Sequence, residues 1–237
     1  MKLAIISDVH GNVHALDAVL DDIALQGVDA TLALGDFLSG PFDPVGVADR
    51  LIDLGFPSVR GNHDRYLAEG RDDDWHIDAF VRGMLAPRHL DWLRNLPPTA
   101  VHGEAVLLSH GTPRDDNAGW LDTMVGDHAV LAPRERIERE AEGFAYEVLL
   151  CGHTHVPRSV KLGDGRIVVN PGSVGLPFDS GSPEAHYAVV EKRRAGWSVA
   201  FVSLPYDYQS AAALAIDRGY PKWAEVVTGG WLKPREL

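Results

Sequence analysis

Cysteine is nearly absent: Cys151 stands alone in 237 residues. A lone thiol cannot pair within the chain, which excludes a disulfide framework and fits a reducing, cytoplasmic setting. Long hydrophobic runs are missing too. No stretch approaches the ~18 consecutive apolar residues of a membrane-crossing helix, so no membrane partner is expected. Between Met1 and Val9 there is one lysine and a short apolar run that turns polar at Asp8. That run is too short for the core of a secretory leader, so the start is read as mature protein. Positive charge is the third scarcity: 22 Lys and Arg face 34 Asp and Glu, for a formal charge of −12. A binder of long nucleic acid carries a basic face, and no basic or aromatic strand-binding stretch is present. The ordinary meaning of the surplus acid is solubility. Internal repeats, low-complexity segments and linkers are also lacking. With 45% hydrophobic and 24% charged residues, the chain can bury a sizeable core. One domain over residues 1–237 is expected, with a core over about 1–204 and a C-terminal helix and tail over 205–237.

What is present alternates strand-like and helix-like segments. Residues 2–7 are a short apolar run ending in polar residues, as in a buried strand. From Val13 the apolar positions Val13, Leu16, Leu20 and Ile23 recur at helical spacing, with Asn12 placed to cap the first turn. Residues 29–34 read as a second strand ending at Gly35-Asp36. Residues 45–54 read as a helix behind the turn signal Pro41-Phe42-Asp43-Pro44. Ser58-Val59 is a brief third strand running into Gly61-Asn62-His63-Asp64. Residues 65–98 read as mainly helical, with Trp75, Phe80, Leu90 and Trp92 available for packing. Strands near 99–102 and 105–109 follow, then a charged helix over 132–143 and a strand over 146–150. Gly163-Asp164-Gly165 marks a hairpin between 158–162 and 166–169, and a second hairpin joins 187–191 to 197–203. A closing helix takes 206–218, and 229–237 is a tail. This order predicts an α/β fold with helices packed on sheets.

The chemistry-bearing residues share one relation to the chain: each follows a strand. Asp8 and His10 follow the first, Asp36 the second, Asn62, His63 and Asp64 the third, His110 a fourth, His153 and His155 a fifth. Loops at the carboxyl ends of strands form the ligand crevice of an α/β sheet, so residues far apart in sequence converge there. Carboxylates, imidazoles and one amide make a mixed oxygen and nitrogen donor set. Such a set suits manganese, iron or zinc better than calcium or magnesium, which take oxygen shells. The seven donors Asp8, His10, Asp36, Asn62, His110, His153 and His155 exceed one tetrahedral site but fit two ions sharing a carboxylate. Taken singly, Asp8, Asp36 or Asn62 reads equally as a turn or cap residue, and a lone histidine after a strand as a hydrogen-bonded structural group. Gly152-His153-Thr154-His155 is harder to explain that way, because two histidines in one glycine-led loop have few structural uses.

These segments together resemble the calcineurin-like metallophosphoesterase family. Asp8-Val9-His10, Gly35-Asp36, Gly61-Asn62-His63-Asp64, Ser109-His110-Gly111 and Gly152-His153-Thr154-His155 occur in the family's order. The likeness extends more loosely through Asn170-Pro171-Gly172-Ser173 to about residue 204. It is similar to the small bacterial group labelled phosphodiesterase or protein-phosphatase-like. The resemblance implies a four-layer αββα sandwich, two mixed sheets flanked by helices (α/β, or α+β by some schemes), with two metals at one edge of the sheets. It implies that Asp8, His10 and His155 hold one ion, that Asn62, His110 and His153 hold the other, and that Asp36 bridges them. The ions it implies are divalent or trivalent, manganese foremost, with iron, zinc or nickel as alternatives. By the same resemblance His63 is no ligand but faces the phosphate and supports the transition state or protonates the leaving oxygen. The protein serine/threonine phosphatases of this family carry Asp and Arg three and four residues after the bridging carboxylate; here those positions hold Ser39 and Gly40. An orienting partner for His63 is therefore missing from its usual place.

The expected function is hydrolysis of a phosphodiester or phosphomonoester in a small substrate by metal-activated water. No covalent nucleophile is needed, and Cys151 reads as a small buried residue. A non-catalytic protein-binding scaffold on the same fold, as in the retromer-type relatives, and a nuclease or cyclic-nucleotide phosphodiesterase are the alternatives. His76, His89, His102, His128 and His186 read as structural, and so does His14, with a second-layer place beside the site as its lesser alternative. Arg114 and Asn117 are candidates to reach a substrate phosphate, and residues 114–126 and 174–181 are expected to wall the pocket. Substrate-binding residues and oligomeric state carry no readable code.

Overall fold

The computed structural model describes residues 1–70, 76–126, 128–177 and 181–231. Its first elements are β1 (Lys2–Ile6), α1 (Val13–Gln26), β2 (Ala30–Ala33), α2 (Pro44–Leu54), α3 (Asn62–Glu69), α4 (His76–Met84) and α5 (Pro87–Asn95). Then come β3 (Thr99–His102), β4 (Val106–Ser109), β5 (Asp122–Val125), β6 (His128–Leu131), α6 (Arg134–Glu140) and β7 (Val148–Leu150). The chain closes with β8 (Arg158–Lys161), β9 (Ile167–Asn170), β10 (Ala185–Arg193), β11 (Gly196–Leu204), α7 (Tyr208–Asp217) and α8 (Pro221–Gly229).

Strand alternation builds the layers. In β1 the side chains of Ala4 and Ile6 pack toward helices, while Leu3 and Ile5 face the second sheet. In β4 and β7, Val106, Leu108, Val148 and Leu150 face the first sheet, and Leu107 and Leu149 turn to the far side. Successive side chains of a strand point to opposite faces, so a strand apolar on both faces must be covered twice. The sheets are ordered β11-β10-β1-β2 and β3-β4-β7-β9-β8, with β5-β6 as a separate ribbon. Helices α1, α2, α3, α4, α5, α7 and α8 contribute to the apolar cluster on the outer face of the first sheet. Ile137 of α6, Trp120 and Leu121 cover the second. The result is the helix–sheet–sheet–helix sandwich. Each fully buried Leu or Ile contributes ~1.5–3 kcal/mol, so the layer between the sheets holds its alignment firmly.

The parallel pairs β1–β2 and β4–β7–β9 direct the carboxyl ends of both sheets' central strands to one edge. Helix α1 begins where Asn12 accepts a bond from the Ala15 N–H at 3.2 Å, as its cap position predicts. Several elements differ from expectation. The third strand at Ser58-Val59 reduces to one bridge between Ser58 and Ala33. The helical stretch divides into α3, α4 and α5, with Pro87 in the first turn of α5; Trp75 lies outside the described residues. Three elements were unexpected, the two strands of a ribbon and a last helix. The β5–β6 ribbon has exposed Met124, Val125, Val130 and Leu131 and so no apolar alternation to read. Helix α8 starts at Pro221 and ends at a left-handed Gly230, so two helices follow β11 rather than one. Trp223 of α8 is buried against Phe42, and its ring lies 6.5 Å from that of His10. Among the described residues, no helix is long and apolar enough to cross a membrane.

Candidate metal centre

At the common edge the loops lean on one another through their backbones. Asp8 N–H donates to Gly35 C=O at 3.0 Å, His10 N–H to Asp36 C=O at 3.0 Å, and Gly152 N–H to His110 C=O at 2.6 Å. The turns are sharp. Among the described residues, the non-glycine positions with positive φ are Asp8 (55°), His10 (48°), Asp36 (54°), His153 (68°) and His155 (59°). All of these are expected metal ligands. A left-handed non-glycine residue costs on the order of 1–3 kcal/mol and persists only where its surroundings impose it. Asp and His tolerate the region better than most residues, and the effect is to aim five side chains into one space.

Asp8, His10 and His155 bring one donor atom each within 4.8 Å of one another, and so do Asp36, His110 and His153. The imidazoles are held from behind. His10 Nδ1 lies 2.7 Å from Ser39 C=O, His155 Nδ1 2.6 Å from Leu176 C=O, and His110 Nδ1 2.8 Å from Leu34 C=O. Each Nδ1–H donates to its carbonyl, which in the neutral ring leaves Nε2 as a lone pair aimed inward. His10 Nε2 and His155 Nε2 face each other at 3.2 Å. Asp8 Oδ1 is buried without a hydrogen bond, 3.3 Å from His155 Nε2. Asn62 Oδ1 lies 3.2 Å from His110 Nε2 and 3.0 Å from His153 Nδ1. Asp36 Oδ1 accepts the His63 N–H at 2.9 Å, while its Oδ2 lies 3.0 Å from His110 Nε2. Lone pairs that face one another inside a dry site repel unless a cation lies among them. The donor set fits metal ions.

Charge is redistributed accordingly. Burial, with His155 nearby, pushes His10 down to about 3, and burial with His110 takes His153 to about 4. Burial opposes a charge on His110 as well, yet the Asp36 and Asp8 carboxylates outweigh it and hold that ring up at about 10. Burial is likewise overcome at Asp36, which His110 and His63 hold well below the usual carboxylate range. Asp64 does not face this site. Its carboxylate accepts the N–H groups of Asp36 (2.8 Å), Phe37 (2.9 Å) and Gly61 (3.0 Å), tying the second loop to the start of α3. Burial and Asp36 raise it to about 7 against those bonds.

His63 finds its partner elsewhere. Its Nδ1 lies 3.0 Å from Oδ2 of Asp78, a side chain of α4 that is 2% exposed. The sequence reading missed Asp78; the available signal is an acid between Ile77 and Val81, on the buried face of a helix. Ser39 supplies the carbonyl behind His10. At Gly40 an added Cβ would stand 1.9 Å from the His10 C=O, so no arginine fits there.

A second ring of residues braces the loop of His153 and His155. Asn170 Nδ2 donates to Gly152 C=O at 2.7 Å, Thr154 Oγ1 donates to Asp122 Oδ2 at 2.9 Å, and Arg158 Nε donates to Asp122 Oδ1 at 2.7 Å. Ser173 Oγ donates to Asp8 C=O at 2.7 Å. The Asn170–Ser173 segment therefore supports both candidate ligand loops from beneath. Arg114 does not serve as expected: its guanidinium donates to the carbonyls of Glu140 and Glu142 and lies over Phe144. Asn117 is exposed, its N–H bonded to Asp115 Oδ1 at 2.9 Å. His14 lies near Asp207, the cap of α7. His89 is buried and bonded to Asp49, as a structural histidine should be. The side chain of His76, and residues 178–180 of the expected pocket wall, lie outside the described residues.

Comparison with known proteins agrees with this geometry. The calcineurin-like phosphoesterase superfamily domain matches residues 1–194. An uncharacterized protein of Methanocaldococcus jannaschii is 26% identical over 246 residues, covering 93% of this chain and 94% of that protein. Phosphodiesterase YfcE of Escherichia coli is 27% identical over 201 residues, covering 81% and 88%. The crystal structure of a metallophosphoesterase from Sphaerobacter thermophilus superposes with a TM-score of 0.80 at 28% identity, covering 97% of this chain and 100% of that one.

Proposed function

The chain belongs to the calcineurin-like phosphoesterase superfamily, and from that membership we propose that it is a two-metal phosphodiesterase acting on a small substrate. As a member of that family it is a metal-dependent phosphoester hydrolase. The carrying observation is the facing pair His10 Nε2 and His155 Nε2 beside the buried Asp8 Oδ1, 3.3 Å from His155 Nε2, an arrangement that a cation would stabilise. In this reading Asp8, His10 and His155 hold one ion, Asn62, His110 and His153 hold the other, and Asp36 is shared. The metals, manganese foremost, supply a nucleophilic water at neutral pH and offset charge on the phosphoryl oxygens. The chain's part is to fix the donors from behind, keep the site dry, and present His63 to the leaving oxygen as proton donor. The preference for a diester rests on the bacterial relative named as a phosphodiesterase. It rests also on Gly40, which leaves no room for the phosphate-gripping arginine of the protein-phosphatase kind.

Bis(p-nitrophenyl) phosphate and p-nitrophenyl phosphate, assayed with manganese and again after chelation, test the reading. Turnover should require metal, favour the diester, and fall by at least ~100-fold in Asp36→Asn. Metal analysis should find two ions per chain. Activity indifferent to chelator and to Asp36→Asn would remove the proposal, and a faster monoester reaction would remove its diester part.

A further inference from the structure

We infer that Asp78 is the positioning residue for His63, supplied by α4 in place of the carboxylate that the second loop lacks; this rests on the phosphoesterase reading above. At the position where a relative of the protein-phosphatase type carries that carboxylate, this chain has Ser39, whose side-chain oxygen is buried without a hydrogen bond. The need has not vanished. An imidazole on a helix N-terminus beside a metal site rotates about two bonds, and only a second contact fixes its edge. Asp78 provides one. It sits one residue after Ile77 and three before Val81, both buried, so the packing of α4 carries its carboxylate inward. Oδ2 lies 3.0 Å from His63 Nδ1, and Oδ1 is buried with no hydrogen bond among the described residues. A buried carboxylate with one oxygen unpaired costs stability and is kept for what the other oxygen does.

The chemical consequence is specific. With Nδ1–H donated to Asp78, Nε2 becomes the ring nitrogen that exchanges a proton with substrate. The reacting ring is the imidazolium, with Nδ1–H on Asp78 and Nε2–H toward the leaving oxygen. Water adds to phosphorus and gives up one proton to solvent, the P–O bond to the leaving group breaks, the departing oxygen takes the Nε2 proton, and solvent reprotonates Nε2. Asp78 neither gains nor loses a proton in this sequence. Its contribution therefore scales with how much the leaving oxygen needs protonation.

The test uses manganese-loaded full-length protein and aryl methyl phosphodiesters with leaving phenols from dinitrophenol to phenol. Asp78→Asn, which keeps the shape, should lower kcat by ~10–100-fold for phenol and by less than ~3-fold for dinitrophenol, with KM little changed. In a His63→Gln background the same change should add less than ~2-fold, because the two residues act as a unit. Histidine ¹⁵N NMR of the metal-free protein gives a readout apart from turnover. The His63 resonance, identified by its loss in His63→Gln, should show a protonated Nδ1 that disappears in Asp78→Ala. Equal losses across all leaving groups, or full additivity with His63→Gln, would make Asp78 merely structural and overturn the inference. Unchanged Asp78→Asn with a crippled His63→Gln would do the same while leaving the phosphoesterase reading intact. A wild-type protein inert to every ester with manganese bound would instead overturn that reading.

Discussion

A left-handed turn at an aspartate or histidine is tolerable once; here it occurs at Asp8, His10, Asp36, His153 and His155, all within one cluster. The stored strain is the cost of pointing donors at a shared centre, and neighbouring glycines let the loops close that tightly. An added Cβ at Gly61 would stand 2.1 Å from Asp36 Oδ1 and 2.6 Å from Asp36 N, although the φ of Gly61 (−85°) suits any residue. Gly61→Ala therefore separates crowding from backbone strain. It should cost ~1–3 kcal/mol in chemical denaturation and weaken manganese binding at least ~10-fold by calorimetry, since the atom it displaces is Asp36. Gly103→Ala is the contrast: its φ is +59° but nothing lies within 4 Å. That change should cost about 1 kcal/mol and leave metal affinity alone. Equal effects of the two on affinity would mean that the approach of Gly61 to Asp36 does not shape the site.

Among the elements, the candidate ligand loop after β7 is held by Asp122, a residue distant in sequence that is not itself a candidate ligand. Thr154 lies between the two histidines, and Asp122 at the start of β5 accepts from both Thr154 and Arg158. The ribbon β5–β6 thus acts as a bracket for His153 and His155. Asp122→Asn should weaken metal binding by ~10–100-fold while the protein stays folded by circular dichroism, because the loop loses orientation rather than donors. An unchanged affinity would assign the Asp122 network to the ribbon alone. The same ribbon shows where sequence reading stops. Most candidate ligands were legible because they follow a strand whose apolar run is plain, as Lys2–Ile6 before Asp8; Asn62, behind the single bridge at Ser58, was legible only from its Gly61-Asn62-His63-Asp64 motif. The hairpins around Gly163-Asp164-Gly165 and between β10 and β11 were legible from their turn signals, whereas the pairing of two sheets came from the family resemblance alone. Met124, Val125, Val130 and Leu131 are exposed, so β5–β6 has no apolar face to announce it. Asp78 was illegible because its role is set by how α4 packs on α3, not by spacing within a motif. Helix α8 had signals, Pro221 at its start and Gly230 at its end, but its apolar face is short.

For the molecule as a whole, folding and metal binding are linked through protons. His110, held up at about 10, keeps both ring protons through neutral pH in the metal-free protein. A ligand must offer a lone pair, so if His110 is a ligand as proposed, an ion binding there would displace the Nε2 proton. His10 at about 3 and His153 at about 4 are already neutral there and release none. The raised value of His110 stabilises the metal-free fold fully below the ordinary histidine value of ~6.5, and that contribution is lost as pH rises toward about 10. Metal-loaded protein, in which a ligating His110 would already be deprotonated, would have no such loss. Between pH ~6.5 and ~8.5 the gap in Tm between the loaded and metal-free protein should therefore widen. Apparent manganese affinity should rise ~10-fold per pH unit over the same window. Calorimetric titration in buffers of differing ionisation enthalpy should find at least one proton released per chain. An affinity flat across that range would mean that His110 enters the site already neutral, and that the Asp36 carboxylate does not hold its proton as the 3.0 Å contact indicates.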